Sequence, residues 1–195
     1  MASAQERILS AAVQLFAKNG FHSTATKQIA RLAKVNEATV FRKHPKKDDL
    51  IRASIEWKIS KCNEEIDRAM VFGEDDTPQK IARTAMGIIY DKFFGDPELG
   101  RLLMFIGLEG NPAAHRFVIK TSGVRANRIF ALLTTPKKRT LLRSGCNIKL
   151  LARFFDYMIM AHFIHEKVYT AENPVSRADF IDGATGIFLH GCVKN

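Results

Sequence analysis

The residues with chemistry to offer gather between Phe21 and Leu50, which reads FHSTATKQIARLAKVNEATVFRKHPKKDDL. Two short helical patterns lie here across a tight break; Arg42 and Lys43 lie in the second, and Lys46 and Lys47 come just after it. That chemistry is recognition rather than bond-making. Basic side chains neutralise phosphates, and short ones such as Ala38 and Thr39 can approach base edges. A short helix held at an angle by its neighbour is one of the few shapes that enters a DNA major groove. Lys46 and Lys47 would open the next helix, whose free N–H groups also suit a phosphate.

Other chemistries find less support. His162, His165 and Glu166 share a helix face but not the HExxH spacing, and no third ligand is evident, so neither a metal site nor a catalytic residue is expected. A helical enzyme using that face is a distant reading, to be raised only by stoichiometric metal. If His165 lies at a subunit seam, its protonation would make association pH-sensitive. No GxSxG elbow, phosphate-cradling glycine loop or Cys-His pairing appears, so no cofactor is expected. Cys62, Cys146 and Cys192 are far apart and form no CxxC. The expectation is free, half-buried thiols in a reducing cytosol, with no disulfide.

The net charge of +10 points to a polyanionic partner, nucleic acid or an anionic membrane surface. Residues 1–60 carry 11 Lys and Arg against 5 Asp and Glu, so over half of the excess sits in the first third. The start, MASAQERIL, lacks the apolar core of a signal peptide. No stretch approaches the roughly 18 apolar residues of a membrane span. A soluble, cytoplasmic protein without a membrane partner is expected.

Strand patterns are nearly absent and helical spacing recurs throughout, so the fold class is all-α, with about nine helices. Ser3 with Glu6 forms a capping box, Ile8, Ala12, Leu15 and Phe16 share a face, and Gly20 is the stop. A second helix over 26–33 turns Ile29, Ala30 and Ala33 inward. A third follows Asn36, a good N-cap, and ends before Pro45, with Val35, Val40 and Phe41 as its anchors. A long helix runs from 47 to about 70, with Asp48 and Asp49 favoured in its first turn by the dipole. Further helices are predicted over 78–94, to about 107, from Pro112, over 148–169 and over 176–193. Lys137, Lys138 and Arg139 fall in a basic connection.

From Glu6 to Leu50 the chain resembles the N-terminal domain of TetR-family transcriptional regulators. AAVQLFAKNGF, Thr24, Ile29-Ala30 and VNEATVFRKHPKKDDL carry the likeness. It implies a homodimer whose paired recognition helices enter successive major grooves of a palindromic operator in double-stranded DNA. It also implies that Thr26 and Lys47 touch phosphate, that Glu37, Ala38 and Thr39 approach bases, and that Phe41, Arg42 and Lys43 line the backbone or groove wall. With Asn36 and Lys46, these are the candidate DNA-binding residues. The chain departs from the family pattern in four places. Phe41 stands for a Tyr, His44 for a core aromatic, Pro45-Lys46 for the usual cap, and Lys34 for a turn glycine. Lys34 is strained if the turn needs a left-handed angle.

The helix over 148–169 is apolar round most of its circumference, so something must cover it on every side. A second subunit would do so, through Phe154, Met158, His162, His165, Phe180, Ala184, Ile187 and Phe188. Met86, Tyr90, Phe93, Met104, Phe105, Phe117 and Tyr157 are candidates to line a pocket for a small apolar ligand, on the strength of the family resemblance. The chain thus divides into a DNA-binding domain, 1–48, and a larger helical ligand-binding and dimerisation domain, 49–195. The reading is a dimeric, ligand-released repressor. The alternative is a DNA-bound adaptor of the same fold that signals through a protein partner and binds no small ligand.

Overall fold

The computed structural model describes residues 2–169 and 174–193, without the side chains of residues 113, 117, 119–123, 125 and 192. Phe117 of the expected pocket therefore lies outside the described residues. Among those described, the chain forms ten helices: α1 Ala4–Asn19, α2 Thr26–Ala33, α3 Glu37–Lys43, α4 Lys47–Ala69, α5 Pro78–Gly95, α6 Pro97–Glu109, α7 Pro112–Leu133, α8 Pro136–Arg139, α9 Ile148–Lys167 and α10 Arg177–Cys192. The fold is all-helical, as expected. The short α8, read from sequence as a connection, is the addition. Pro136 at its start supplies a pre-set helical φ. Lys137, paired with Asp75 at 2.5 Å, and the buried Lys138, donating to the Gly73 carbonyl at 3.3 Å, hold it.

Helix boundaries follow local chemistry. Ser3 and Glu6 close the capping box in both directions, at 2.8 and 3.1 Å. Asn36 accepts from the Ala38 N–H at 2.9 Å, and Asp96, before Pro97, accepts from Leu99. A cap of this kind contributes about 1 kcal/mol.

The chain divides into two compact units. One joins residues 1–63 with 96–121, so the unit that holds the first three helices reaches well beyond residue 48. In it α1 packs against α2 and α6, and α2 against α3. Ile8, Ala12, Phe16, Ile29, Val40, Leu50 and Ile55 are fully buried in its core.

The other unit joins 64–95 with 122–195, and there α5 packs against α9 and α10. Ile81, Met86, Ile89 and Phe93 of α5 are buried, as are Phe155, Ile159 and Phe163 of α9 and Phe188 of α10. Phe155 meets Phe188 edge-on at 5.6 Å. Arg177 grips Asp91 with two hydrogen bonds, 2.6 and 2.7 Å, and Arg83 pairs with Asp182. Among the described residues no helix is long and apolar enough to cross a membrane.

One expectation fails here. Cys146 is disulfide-bonded, whereas Cys62 is a buried free thiol. Distance along the chain misleads because folding returns the loop after α8 to the end of α10. Leu142 bridges to Val193, and Arg143 Nε donates to the Val193 carbonyl at 3.1 Å.

Candidate nucleic-acid interface

The break between α2 and α3 sets the angle at which α3 is presented. Lys34 takes the left-handed conformation there, φ 55° and ψ 50°, and is the one non-glycine residue with positive φ among those described. The turn does need the angle that a side chain adopts at a cost. Its N–H reaches the carbonyls of Ala30 and Arg31, and Val35 N–H returns to Ala30 at 3.0 Å. Arg7, reaching from α1, donates from Nε to the Ala33 carbonyl at 3.1 Å and so caps the negative end of α2.

The turn between α1 and α2 is built as firmly. Gly20 has φ 79° and ψ 173°, a conformation nearly restricted to glycine rather than the left-handed helical one expected. A Cβ there would also run into the Glu109 carboxylate. The buried Thr24 hydroxyl donates to the Gly20 carbonyl at 2.7 Å. Glu109, at the end of α6, accepts from the Phe21 N–H at 2.6 Å and lies 3.5 Å from the His22 N–H. Two residues on, Asn111 Nδ2 donates to Asp48 Oδ1 at the start of α4 at 2.7 Å.

Helix α3 itself has one fully buried side chain, Val40. Phe41, expected as a second anchor, is 45% exposed, and its ring is available to a partner. His44 takes the inward place instead. It is buried, and its Nε2 receives a hydrogen bond from Gln5 of α1 at 2.9 Å. With the amide nitrogen as donor, that His44 nitrogen acts as the acceptor. Burial lowers the His44 pKa, which also favours the neutral ring.

The candidate DNA-binding residues share one unit and largely one face. Asn36, Ala38, Phe41, Arg42, Lys43 and Lys46 are exposed, and Glu37 and Thr39 are half-buried. The Thr26 hydroxyl donates to Glu37 Oε1 at 2.9 Å, tying the first turns of α2 and α3 together. Lys47 is half-buried and leans over the Phe21 ring, 4.4 Å from its centroid, with its ammonium 3.4 Å from the His22 carbonyl. Burial lowers its pKa, while the Glu109 charge opposes that shift.

Residues 8–54 match the model of the bacterial regulatory proteins, tetR family. A curated relative, the HTH-type transcriptional regulator YvkB of Bacillus subtilis, is 47% identical over 53 residues, a stretch that spans 27% of this chain and 28% of that protein. Residues 8–54 thus resemble the N-terminal domain of tetR-family regulators.

Solved TetR-like structures extend the likeness to nearly the whole chain at the level of fold. The fatty acid degradation regulator FadR from Bacillus halodurans superposes with a TM-score of 0.77 at 14% identity, over 97% of this chain and 96% of its own. FadR from Bacillus subtilis, in complex with stearoyl-CoA, gives 0.73 at 15% identity, over 95% and 97%. A TetR-like regulator from Rhodococcus sp. RHA1 gives 0.73 at 18% identity, over 98% of each chain.

In the first unit, sequence reasoning missed Gln5, Arg7, Glu109 and Asn111, which tie α2, α3 and the turns around them. Pro112, expected to open a helix, marked the α6–α7 corner; nothing local marked the partners that Glu109 and Asn111 find across the fold. It also passed over Lys27 and Arg31, exposed cations on α2.

The other candidate residues are dispersed. Met86, Tyr90 and Phe93 are buried on one face of α5, while Tyr157 is 54% exposed. Met104 and Phe105 are half-buried in the first unit, where Phe105 approaches Gly20. Of the candidate interface residues, Phe154 and Ile187 are exposed at 42% and 69%, His165 is exposed, and Ala184 and Phe188 are buried. The His162 ring stacks on Phe180, centroids 4.2 Å apart, and approaches Phe94 and Tyr90. His162 Nδ1 and His165 Nδ1 lie 3.9 and 3.8 Å from Glu166 Oε1.

Proposed function

We propose that this chain is a dimeric, sequence-specific DNA-binding transcriptional regulator, a repressor released from its operator by a small apolar ligand. The observation that carries the DNA half is the α3 face. Asn36, Ala38, Arg42 and Lys43 point outward from a seven-residue helix whose angle α1 and α2 hold. Arg42, Lys43 and Lys46 meet phosphates, and Ala38, Thr39 and Glu37 meet base edges. Phe41 offers its ring to the groove wall, while Thr26 and Lys47 must exchange intramolecular partners for phosphate oxygens.

The dimer reading rests on α9. Leu150, Phe154 and Tyr157 stand exposed at 44%, 42% and 54% along one side of a helix whose other side is core. With Ile187 of α10 they form the apolar surface that a second copy would cover. Two such heads would present their α3 helices about 34 Å apart, one turn of DNA.

The ligand reading leans on a relative of the same fold solved with stearoyl-CoA. A ligand releases the operator only if it binds the DNA-incompetent form more tightly, and α4, which runs from the head into the second unit, is the natural lever. The alternative, a DNA-bound adaptor with a protein partner and no small ligand, draws on the second unit's filled aromatic cluster. There Tyr90 stacks on Phe94 at 4.1 Å and His162 on Phe180.

Selection from a randomised DNA pool at two salt concentrations tests the first half. An enriched palindrome is the expected result; salt-sensitive binding without enrichment would leave phosphate contacts alone. Adding stearoyl-CoA to the selected complex tests the second half, with release supporting the sensor and no release the adaptor.

A further inference from the structure

The basic tract after α7 plays no part in the DNA reading, and the fold gives it a concave setting. In the second unit, the end of α7, the loop after α8 and the start of α9 line an open cavity of about 570 Å³. Arg139, Arg143 and Lys149 line it, with no carboxylate in the lining. Phe130, Leu142 and Ile148 supply apolar wall. The hydrogen bond from Arg143 Nε to the Val193 carbonyl fixes the direction of that guanidinium.

Helix α9 adds to the same field. It is 20 residues long, opens at this rim, and has Lys149 but no acidic residue in its first turn. The positive end of its dipole thus sides with the cations instead of being offset. A run of basic residues is ordinarily a solvated face, where each charge is screened separately. Here three cations border one concavity, and an anion inside it would lie within reach of their combined field. The volume suits a small organic molecule and exceeds what a bare phosphate needs.

We propose that this cavity binds a phosphate-bearing organic anion. Arg139 and Arg143 engage phosphate oxygens, Lys149 adds a point charge, and the apolar wall takes the organic part. The assignment does not depend on the head binding DNA, and it stands or falls on a separate measurement.

Calorimetric titration of the full-length chain with ADP and, separately, with pyrophosphate tests it in the absence of DNA. The double variant Arg139→Gln/Lys149→Gln should weaken ADP binding about tenfold or more. The control Arg52→Gln/Lys80→Gln removes the same charge from surface ion pairs outside the cavity and should leave ADP binding unchanged. The altered side chains in both variants are exposed, and an unchanged melting curve verifies the fold. No binding of ADP at millimolar concentration would overturn the proposal, as would equal weakening in the control. Pyrophosphate binding as tightly as ADP would overturn the organic half of the assignment.

Discussion

Replacing Glu109 by Ala is the sharpest test of how the reading helices are held. The carboxylate accepts from the Phe21 N–H at 2.6 Å, with the His22 N–H at 3.5 Å, and it sits beside Gly20, whose conformation few other residues adopt. A hydrogen bond to a charged acceptor contributes about 1.5–3 kcal/mol. Glu109 is half-buried and its second contact is long, so the lower figure, about 1.5 kcal/mol, applies. For a chain of this length that is a fall in Tm of about 3–6 °C. Helix α2 begins only four residues after His22, so DNA binding must re-fix the freed turn. If the whole cost falls on the bound state, affinity drops roughly tenfold.

The sign of that change makes the test decisive. Removing a negative charge from a DNA-binding protein should by itself tighten binding to phosphates. Weaker binding by Glu109→Ala therefore reports lost positioning, not altered charge. Glu109→Gln, which keeps an acceptor oxygen without the charge, should fall between. Fluorescence anisotropy with the selected operator, beside thermal melts, reads both quantities. A lower Tm with unchanged or tighter DNA binding would refute the reasoning and leave the corner a purely structural brace.

Three further outcomes follow from the same geometry. Lys34→Gly relieves a left-handed residue but loosens the unfolded chain, for a net gain of about 0.5–1 kcal/mol and a Tm rise of about 1–4 °C; an unchanged or lower Tm would mean the turn stores no strain. His44 titrates below its usual 6.5 because it is buried, with Asp49 opposing the shift and Lys43 and Arg52 adding to it. The unfolded chain therefore binds the extra proton first, and stability is lost as pH falls from about 6.5 toward the lower folded value. His162 carries the same sign, so His44→Phe should flatten only part of the Tm drop between pH 7.5 and 5.5; a drop as steep as in the parent would acquit His44. Tyr157→Lys with Ile187→Lys should convert the dimer to monomer in sedimentation at micromolar concentration, whereas a parent chain already monomeric there would sink the dimer reading.

What could be read from sequence divides by distance along the chain. Ser3 with Glu6, Asn36, Pro45, Pro97 and Pro112 each act within a few residues, and the helix boundaries fall where those residues put them. The left-handed angle at Lys34 was legible through the family resemblance, which puts a glycine in that turn. The helix over 136–139 was not, because one basic turn has too few residues to show a period. Nor was the Cys146 disulfide, which depends on a loop meeting the end of the last helix. Phe41, read from its spacing as an anchor, is exposed, whereas His44, standing for the family's core aromatic, is buried. Inward and outward positions on a seven-residue helix differ by a small rotation, and α1 decides it by offering Gln5 to the imidazole.

That rotation bears on function. With Val40 its one fully buried side chain, α3 gains too little from burial to fix its own angle. The angle is set instead by polar ties: Arg7 to Ala33, Thr26 to Glu37, Gln5 to His44, and the Glu109–Asn111 corner to both the α1–α2 turn and α4. Each tie is modest in energy and directional in geometry, so a small displacement of the α6–α7 corner reaches the reading face with little core to absorb it. A helix held by packing would resist that motion, whereas one held by hydrogen bonds transmits it, as the proposed release by a ligand would require.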